Sequence, residues 1–275
     1  MMATFIFPGG PVRFTRISLV LIASLAAACS SDGGGTAPAP VIVAPTISTP
    51  NTMIYIGQSV QFSATGGGTI HWGGDAPHVA TVDQTTGRVT GVGTGRVTIW
   101  AENEGGRTTR LLRGLPSYAG SWRGNYTIQD CQSIGDFAAG GFCGSFFRGQ
   151  SLNTRYELSQ TDDRVTGTFA LGDLTGTFNP STVAENGQLP MTGGLSSGGT
   201  SVTIENLRFE SATPGVITGQ FEQLWGFSGL SGWGRIYCRI ETVTRTAGGP
   251  SFGFTAPSSA EPLSLEEMIR RVLRR

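Results

Sequence analysis

At 275 residues the chain is long enough for one or two domains that bury their own cores without a metal or several disulfides, and we read two. Its 19 basic residues, all Arg, balance 19 acidic ones, and so even a balance argues against nucleic acid, whose binding needs a basic footprint. Abundant glycine (42 residues), only 14% charged residues and short apolar runs between turn formers argue against an α/β enzyme and predict an all-β protein.

The mostly apolar run from Ile17 to Ala28 follows Arg13 and Arg16 and ends in Ala26-Ala27-Ala28. Those are the flanks of a signal peptide over residues 1–28, whereas a membrane-crossing helix needs roughly 20 apolar residues. Cys29 comes next, and the whole resembles a bacterial lipoprotein signal, although such signals more often carry Leu three places before the cysteine and Leu25 stands one place early. The resemblance implies cleavage before Cys29 and lipid on Cys29, with more than one acyl chain, since a single chain binds only marginally. An ordinary secretory leader cleaved nearby is the alternative. Ser30, rather than Asp, after the cysteine is similar to signals that send such proteins to an outer membrane. Loss of Arg13 and Arg16 with the leader would leave a net charge of about −2. Residues 29–44, rich in Gly, Ser and Ala-Pro, predict a flexible-to-extended tether behind the lipidated cysteine.

A first β-domain is expected over residues 45–115. Val60, Phe62 and Ala64 share one face, as do Ile70 and Trp72, and Val97, Ile99 and Ala101. Turn signals at Gly66-Gly67-Gly68, Gly73-Gly74-Asp75-Ala76-Pro77 and Thr85-Thr86-Gly87 have the spacing of a seven-strand immunoglobulin-like sandwich. The blocks Gly57-Gln58-Ser59-Val60-Gln61-Phe62, Trp72, Val79-Ala80-Thr81-Val82-Asp83, Thr86-Gly87-Arg88-Val89-Thr90-Gly91-Val92 and Gly95-Arg96-Val97-Thr98-Ile99 occur in order. Over residues 44–115 they resemble the bacterial immunoglobulin-like group 2 domain. That resemblance implies a module of surface and adhesion proteins, a spacer or a binder of carbohydrate or receptor, and no catalysis. Trp72 and Val82 are expected in its core. Both histidines, His71 and His78, fall here; His71 should point outward and His78 lie in a loop. With no third His, Cys or carboxylate at ligand spacing, no metal site is assigned.

A different β unit is expected over residues 116–246. Trp122, Gly124, Tyr126 and Ile128 share a face by period two. A phrase then repeats in Val165-Thr166-Gly167-Thr168-Phe169, Leu174-Thr175-Gly176-Thr177-Phe178 and Ile217-Thr218-Gly219-Gln220-Phe221, each burying an aliphatic residue, Gly and an aromatic. Further strands read from Arg155 to Gln160, Val202 to Glu210 and Gly234 to Val243, with Asp162-Asp163 as a hairpin turn. Seven or eight antiparallel strands joined by short turns predict a meander that closes into a small barrel, its phrase glycines allowing sharp coiling. Gly120-Ser121-Trp122 and a closing Arg235 or Arg239 resemble the lipocalin-like, or calycin, pattern, in which a first-strand Trp packs near a last-strand arginine. That resemblance implies a barrel mouth able to hold a small apolar ligand; the competing expectation is that the aromatics fill the lumen.

Three cysteines follow Cys29. Cys131 and Cys143 flank a Gly-rich loop and are expected to pair in an oxidising compartment, leaving Cys238 buried in the last strand; Cys131 with Cys238 is the rival pairing. No His follows residue 78 to activate a thiol or a serine, and Gly226-Phe227-Ser228-Gly229-Leu230-Ser231-Gly232 reads as a loop, so no catalytic residue and no cofactor are assigned. After a linker, Ser264-Leu265-Glu266-Glu267 forms a capping box and Leu265, Met268, Ile269, Val272 and Leu273 recur at helical spacing, predicting a C-terminal amphipathic helix within residues 247–275. Arg270, Arg271, Arg274 and Arg275 on its other face could meet anionic headgroups or an acidic partner. Two functions compete: a lipid-anchored envelope protein, adhesive or spacing, with a surface protein or carbohydrate as partner; and a carrier of a small apolar ligand. A packed lumen disfavours the carrier, and a cavity of several hundred Å³ favours it.

Overall fold

A computed structural model describes residues 41–246 apart from Pro50, Asp173, Gly198 and Ala212. The proposed leader, Cys29 and the C-terminal helix lie outside the described residues. The first module consists of nine short strands: β1 (Thr46–Ser48), β2 (Met53–Tyr55), β3 (Ser59–Gln61), β4 (Ser63–Thr65), β5 (His71–Gly74), β6 (Ala80–Val82), β7 (Arg88–Gly91), β8 (Gly95–Asn103) and β9 (Gly106–Leu115). They pair as β2-β9-β8-β5, β3-β7-β6 and β1-β4. The expected seven strands become nine because the chain twice changes partner: β1 pairs with β4 but β2 with β9, and β3 pairs with β7 before Phe62, whose N–H donates to the Gly87 carbonyl, and β4 returns to β1. Period-two faces meet as expected: Phe62, Trp72, Val97, Ile99 and Ala101 are buried together, with Val60, Ala64, Ile70 and Val82 packed around them. Phe62 meets the Trp72 ring edge-on at 6.3 Å, a geometry that ring quadrupoles favour.

The second module is a closed barrel of eight antiparallel strands, each paired with its neighbour in sequence and the last with the first. They are β10 (Gly120–Gly135), β11 (Ser151–Thr161), β12 (Arg164–Leu171), β13 (Leu174–Thr182), β14 (Leu189–Ser197), β15 (Thr200–Glu210), β16 (Val216–Phe227) and β17 (Gly232–Arg245). Asp162-Asp163 forms the β11–β12 turn, as expected. Each repeated phrase buries its aromatic: Phe169, Phe178 and Phe221. The outer face carries Arg, Glu, Gln and Thr, so the barrel is apolar inside and charged outside, the reverse of a membrane pore.

Closure of so small a barrel needs corners, and two of them fall at the phrase glycines Gly167 and Gly219. The register shifts between Val165 and Gly167 and between Ile217 and Gly219. A Cβ on Gly167 would overlap the Glu157 carbonyl oxygen, and one on Gly219 the Arg208 carbonyl oxygen. Bulges kink and twist the strand, and glycine lets its neighbour approach the bend.

The two modules are joined in series. Asn103, at the tip of the β8–β9 hairpin, donates from Nδ2 to the carbonyls of Val43 at 2.9 Å and Gly67 at 2.7 Å, which pins the incoming chain at one pole. The Val43 carbonyl is thus fixed to the first module, while the Val41 and Val43 side chains stay exposed. At the other pole β9 runs into the barrel. Leu115 joins the barrel core, with Met53 and Tyr55 packed against it. Tyr55 donates to the Asp162 carbonyl at 3.0 Å, and Arg113 donates to Asp163 Oδ2 at 3.0 Å and to the Val183 carbonyl at 2.7 Å. An exposed Arg96–Glu185 pair adds little, since such ion pairs are screened by water.

Candidate functional site

The barrel offers three places for a site: the lumen, the mouth far from the first module, and the outer face of β15–β17. Aromatic rings occupy the near half of the lumen. Tyr156 meets Phe209 at 4.9 Å and Phe169 meets Phe178 at 4.9 Å, with Trp122 beneath them fully buried. Midway lies a small polar set. Gln223 donates to Cys238 Sγ at 3.4 Å and accepts from the Trp225 indole at 3.1 Å, and Thr154 donates to the Ala170 carbonyl at 3.2 Å. Burial pushes the phenols of Tyr126 and Tyr156 up, with the side chains of Gln223 and Thr154 opposing the shift. These groups satisfy one another inside a packed core, and nothing in their arrangement leaves a reactive atom open to substrate.

Burial likewise pushes the Cys238 thiol up, against the opposing hydrogen bond from Gln223. Since the thiolate is the reactive form, Cys238 is inert in the native state. In a Cys29→Ser protein, Cys238 is expected to resist a colorimetric disulfide reagent at pH 8 until denaturant opens the barrel; rapid labelling without denaturant would show the lumen to be accessible.

A cap covers the far mouth. Between β10 and β11 the chain forms α1 (Asp136–Ala139) and α2 (Phe142–Ser145), where a plain loop was expected. Cys131 and Cys143 are bonded, S–S 2.08 Å, as expected, and Cys238 is the buried free thiol. Phe142 leans over Gly234, whose missing side chain makes the room, and meets Trp225 at 5.9 Å; Phe146 meets Trp225 at 5.7 Å. The Ser231 N–H and hydroxyl donate to Asp136 Oδ2 at 2.7 and 2.9 Å, which holds the Asp136 carboxyl below its usual range and ties the cap to the β16–β17 loop. Ser231 thus serves the loop expected of it.

The barrel's first-to-last-strand clasp is present with a different arginine. Trp122 lies under Arg245, whose guanidinium carbon is 4.9 Å from the ring centroid. Arg235 instead pairs with Glu222 at 2.8 Å, and Arg239 stands beside Glu241 at 3.6 Å. The reason is register: β17 continues past both, and Trp122 pairs with Arg245 beyond two offsetting register shifts, one extra residue in β10 and one in β17. His71 and His78 are both exposed, one on β5 and one in the turn before β6.

The outer face of β15–β17 forms an open groove of about 660 Å³ lined by Gln129, Gln188, Asn206, Arg208, Glu210, Gln220, Glu222, Tyr237, Arg239 and Glu241, among others. It lies where the bulge between Glu205 and Arg208 faces the Gly219 corner. Asn206 takes a left-handed backbone, φ 52°, and donates to Glu222 Oε1 at 2.9 Å. No sequence pattern signalled the groove, because its residues come from β15, β16 and β17 together with Gln129 of β10 and Gln188 before β14.

Among known families, residues 41–109 match the bacterial Ig-like domain (group 2). Domains of this group occur in extracellular and cell-surface bacterial proteins, in agreement with export and a surface or adhesion-type role. No curated protein matches the chain.

Proposed function

From a group 2 immunoglobulin-like module seated on a closed barrel, we propose a lipid-anchored, non-catalytic cell-envelope protein. In this reading the first module spaces the barrel from the membrane, and the barrel meets a surface partner or carbohydrate. One observation carries it: the chain enters the first module at the Asn103 pole and leaves for the barrel at the Leu115 pole, the full length of β9 away. Ten residues of strand separate the poles by about 30 Å. The lipobox-like run into Cys29 supplies the anchor, and Ser30 favours the outer membrane. The packed lumen weighs against a carrier of small apolar ligands.

Replacing Cys29 with Ser tests the anchor. The native protein is expected in the membrane fraction and labelled by a radioactive fatty acid, and the variant in the soluble fraction without label. Membrane retention of the variant would refute lipid anchoring through Cys29 and direct attention to the arginines after residue 269.

A further inference from the structure

We propose that the groove across β15, β16 and β17 is a binding site for a neutral oligosaccharide. The proposal rests on the surface-binding reading above and supplies its ligand class and location.

Strand register sets the groove's chemistry. Arg208 faces Gln220 and Gln220 faces Arg239, so one row across three strands reads Arg-Gln-Arg over about 10 Å. The next row reads Glu205-Glu222-Tyr237, about 7 Å along the strands. The first row therefore offers donors, and the second offers two carboxylates that share Arg235 and can accept only through their remaining lone pairs. Among the described residues, Arg208 and Gln220 make no side-chain hydrogen bond or ion pair, so both are available to a ligand. Arg239 is 64% exposed and stands only loosely against Glu241. Glu222 is held in place by Arg235 and Asn206, which orients an acceptor without spending side-chain freedom on binding.

Charge decides the ligand class. A polyanion drawn to Arg208 and Arg239 would meet Glu210, Glu222 and Glu241 within the same groove, and a polycation would meet the two arginines. Each hydroxyl of a sugar both donates and accepts, so a polyhydroxylated ligand can use both rows at once. The amide of Gln220 has the same dual character, those of Gln129, Gln188 and Asn206 each already donate within the protein and keep their oxygens as acceptors, and half-buried Tyr237 offers an apolar surface to the C–H face of a pyranose. The groove's 660 Å³ falls within the roughly 300–1,000 Å³ of small-molecule clefts, which suits a short oligosaccharide.

The test applies the full chain, in detergent, to an array of neutral di- to tetrasaccharides, with heparin as the polyanion. At least one neutral oligosaccharide should be retained, with titration calorimetry giving a submillimolar Kd. Arg208→Ala and Gln220→Ala should each weaken it about tenfold or more, while Thr168→Ala, on the outer face of β12, should leave it unchanged. All three positions face outward, so circular dichroism should show native folds. No retained neutral sugar, unchanged affinity in the double variant, or preference for heparin would overturn the proposal. A silent array with a soluble Cys29→Ser variant defeats the groove and spares the anchored spacer; sugar binding with a membrane-retained Cys29→Ser variant does the opposite.

Discussion

Trp122→Ala is expected to cost the barrel about 3–5 kcal/mol, the range for deleting a large buried aromatic and leaving a cavity. Trp122 is among the largest fully buried side chains, and its neighbours are committed to it. Its indole N–H donates to the Tyr118 carbonyl at 2.7 Å, so truncation leaves that buried acceptor unpaired. Arg245 lies over its ring and donates to the Ser117 carbonyl at 2.9 Å, so loss of the ring loosens the clasp between β10 and β17. Tyr118 in turn donates to the Gly187 carbonyl at 2.7 Å, with the Phe209 carbonyl at 3.1 Å, across the same end of the barrel. Urea unfolding followed by circular dichroism measures the loss. A midpoint shift worth less than about 1 kcal/mol would show that the end of the barrel is held by other contacts. Trp100→Phe is the control: that ring lies on the outer surface of β8 beneath Arg107 at 4.2 Å, and its loss should be small.

Replacing both Cys131 and Cys143 by Ser should cost about 3 kcal/mol, the loop-entropy value for a crosslink spanning 12 residues, and should uncover the barrel mouth. The cap has little to hold it otherwise. Its two helices are four residues each, far below the length at which a helix is stable alone, and neither has a side-chain N-cap hydrogen bond. What remains is the Asp136–Ser231 pair, exposed to water, and the packing of Phe137, Phe142 and Phe146 towards Trp225. Without the disulfide, Trp225 should gain water contact, seen as a red-shifted emission, and the protein should bind a hydrophobic dye. Native emission and an unchanged midpoint would mean that the aromatic packing holds the cap alone.

Local alternation made much of the fold readable. Trp122, Tyr126 and Ile128 on β10, and the aliphatic-Gly-aromatic phrases on β12, β13 and β16, each announce a buried face within five to seven residues. β14 escaped notice because Pro190, Gly193 and Gly194 interrupt its alternation; it forms a strand because β13 and β15 lie on either side. The cap helices escaped for a related reason: they owe their existence to a disulfide and to Trp225, far along the chain. The arginine over Trp122 could not be selected among Arg235, Arg239 and Arg245, because the long-range pairing of β10 with β17 decides which of them arrives there. The groove was invisible for the same reason.

By itself, the sequence left two candidate pairings for Cys131, and it determined which side of each strand is apolar, where most turns fall and which module is immunoglobulin-like. All of these depend on neighbours within a few residues. Only the tertiary structure decided that the strands number eight, that Arg245 clasps Trp122, that Val43 and Leu115 lie at opposite poles of the first module, and that Arg208, Gln220 and Arg239 share a row. Those facts depend on register, and register in a closed barrel is the sum of every bulge and turn around it: one residue of slip would turn each row to the other face.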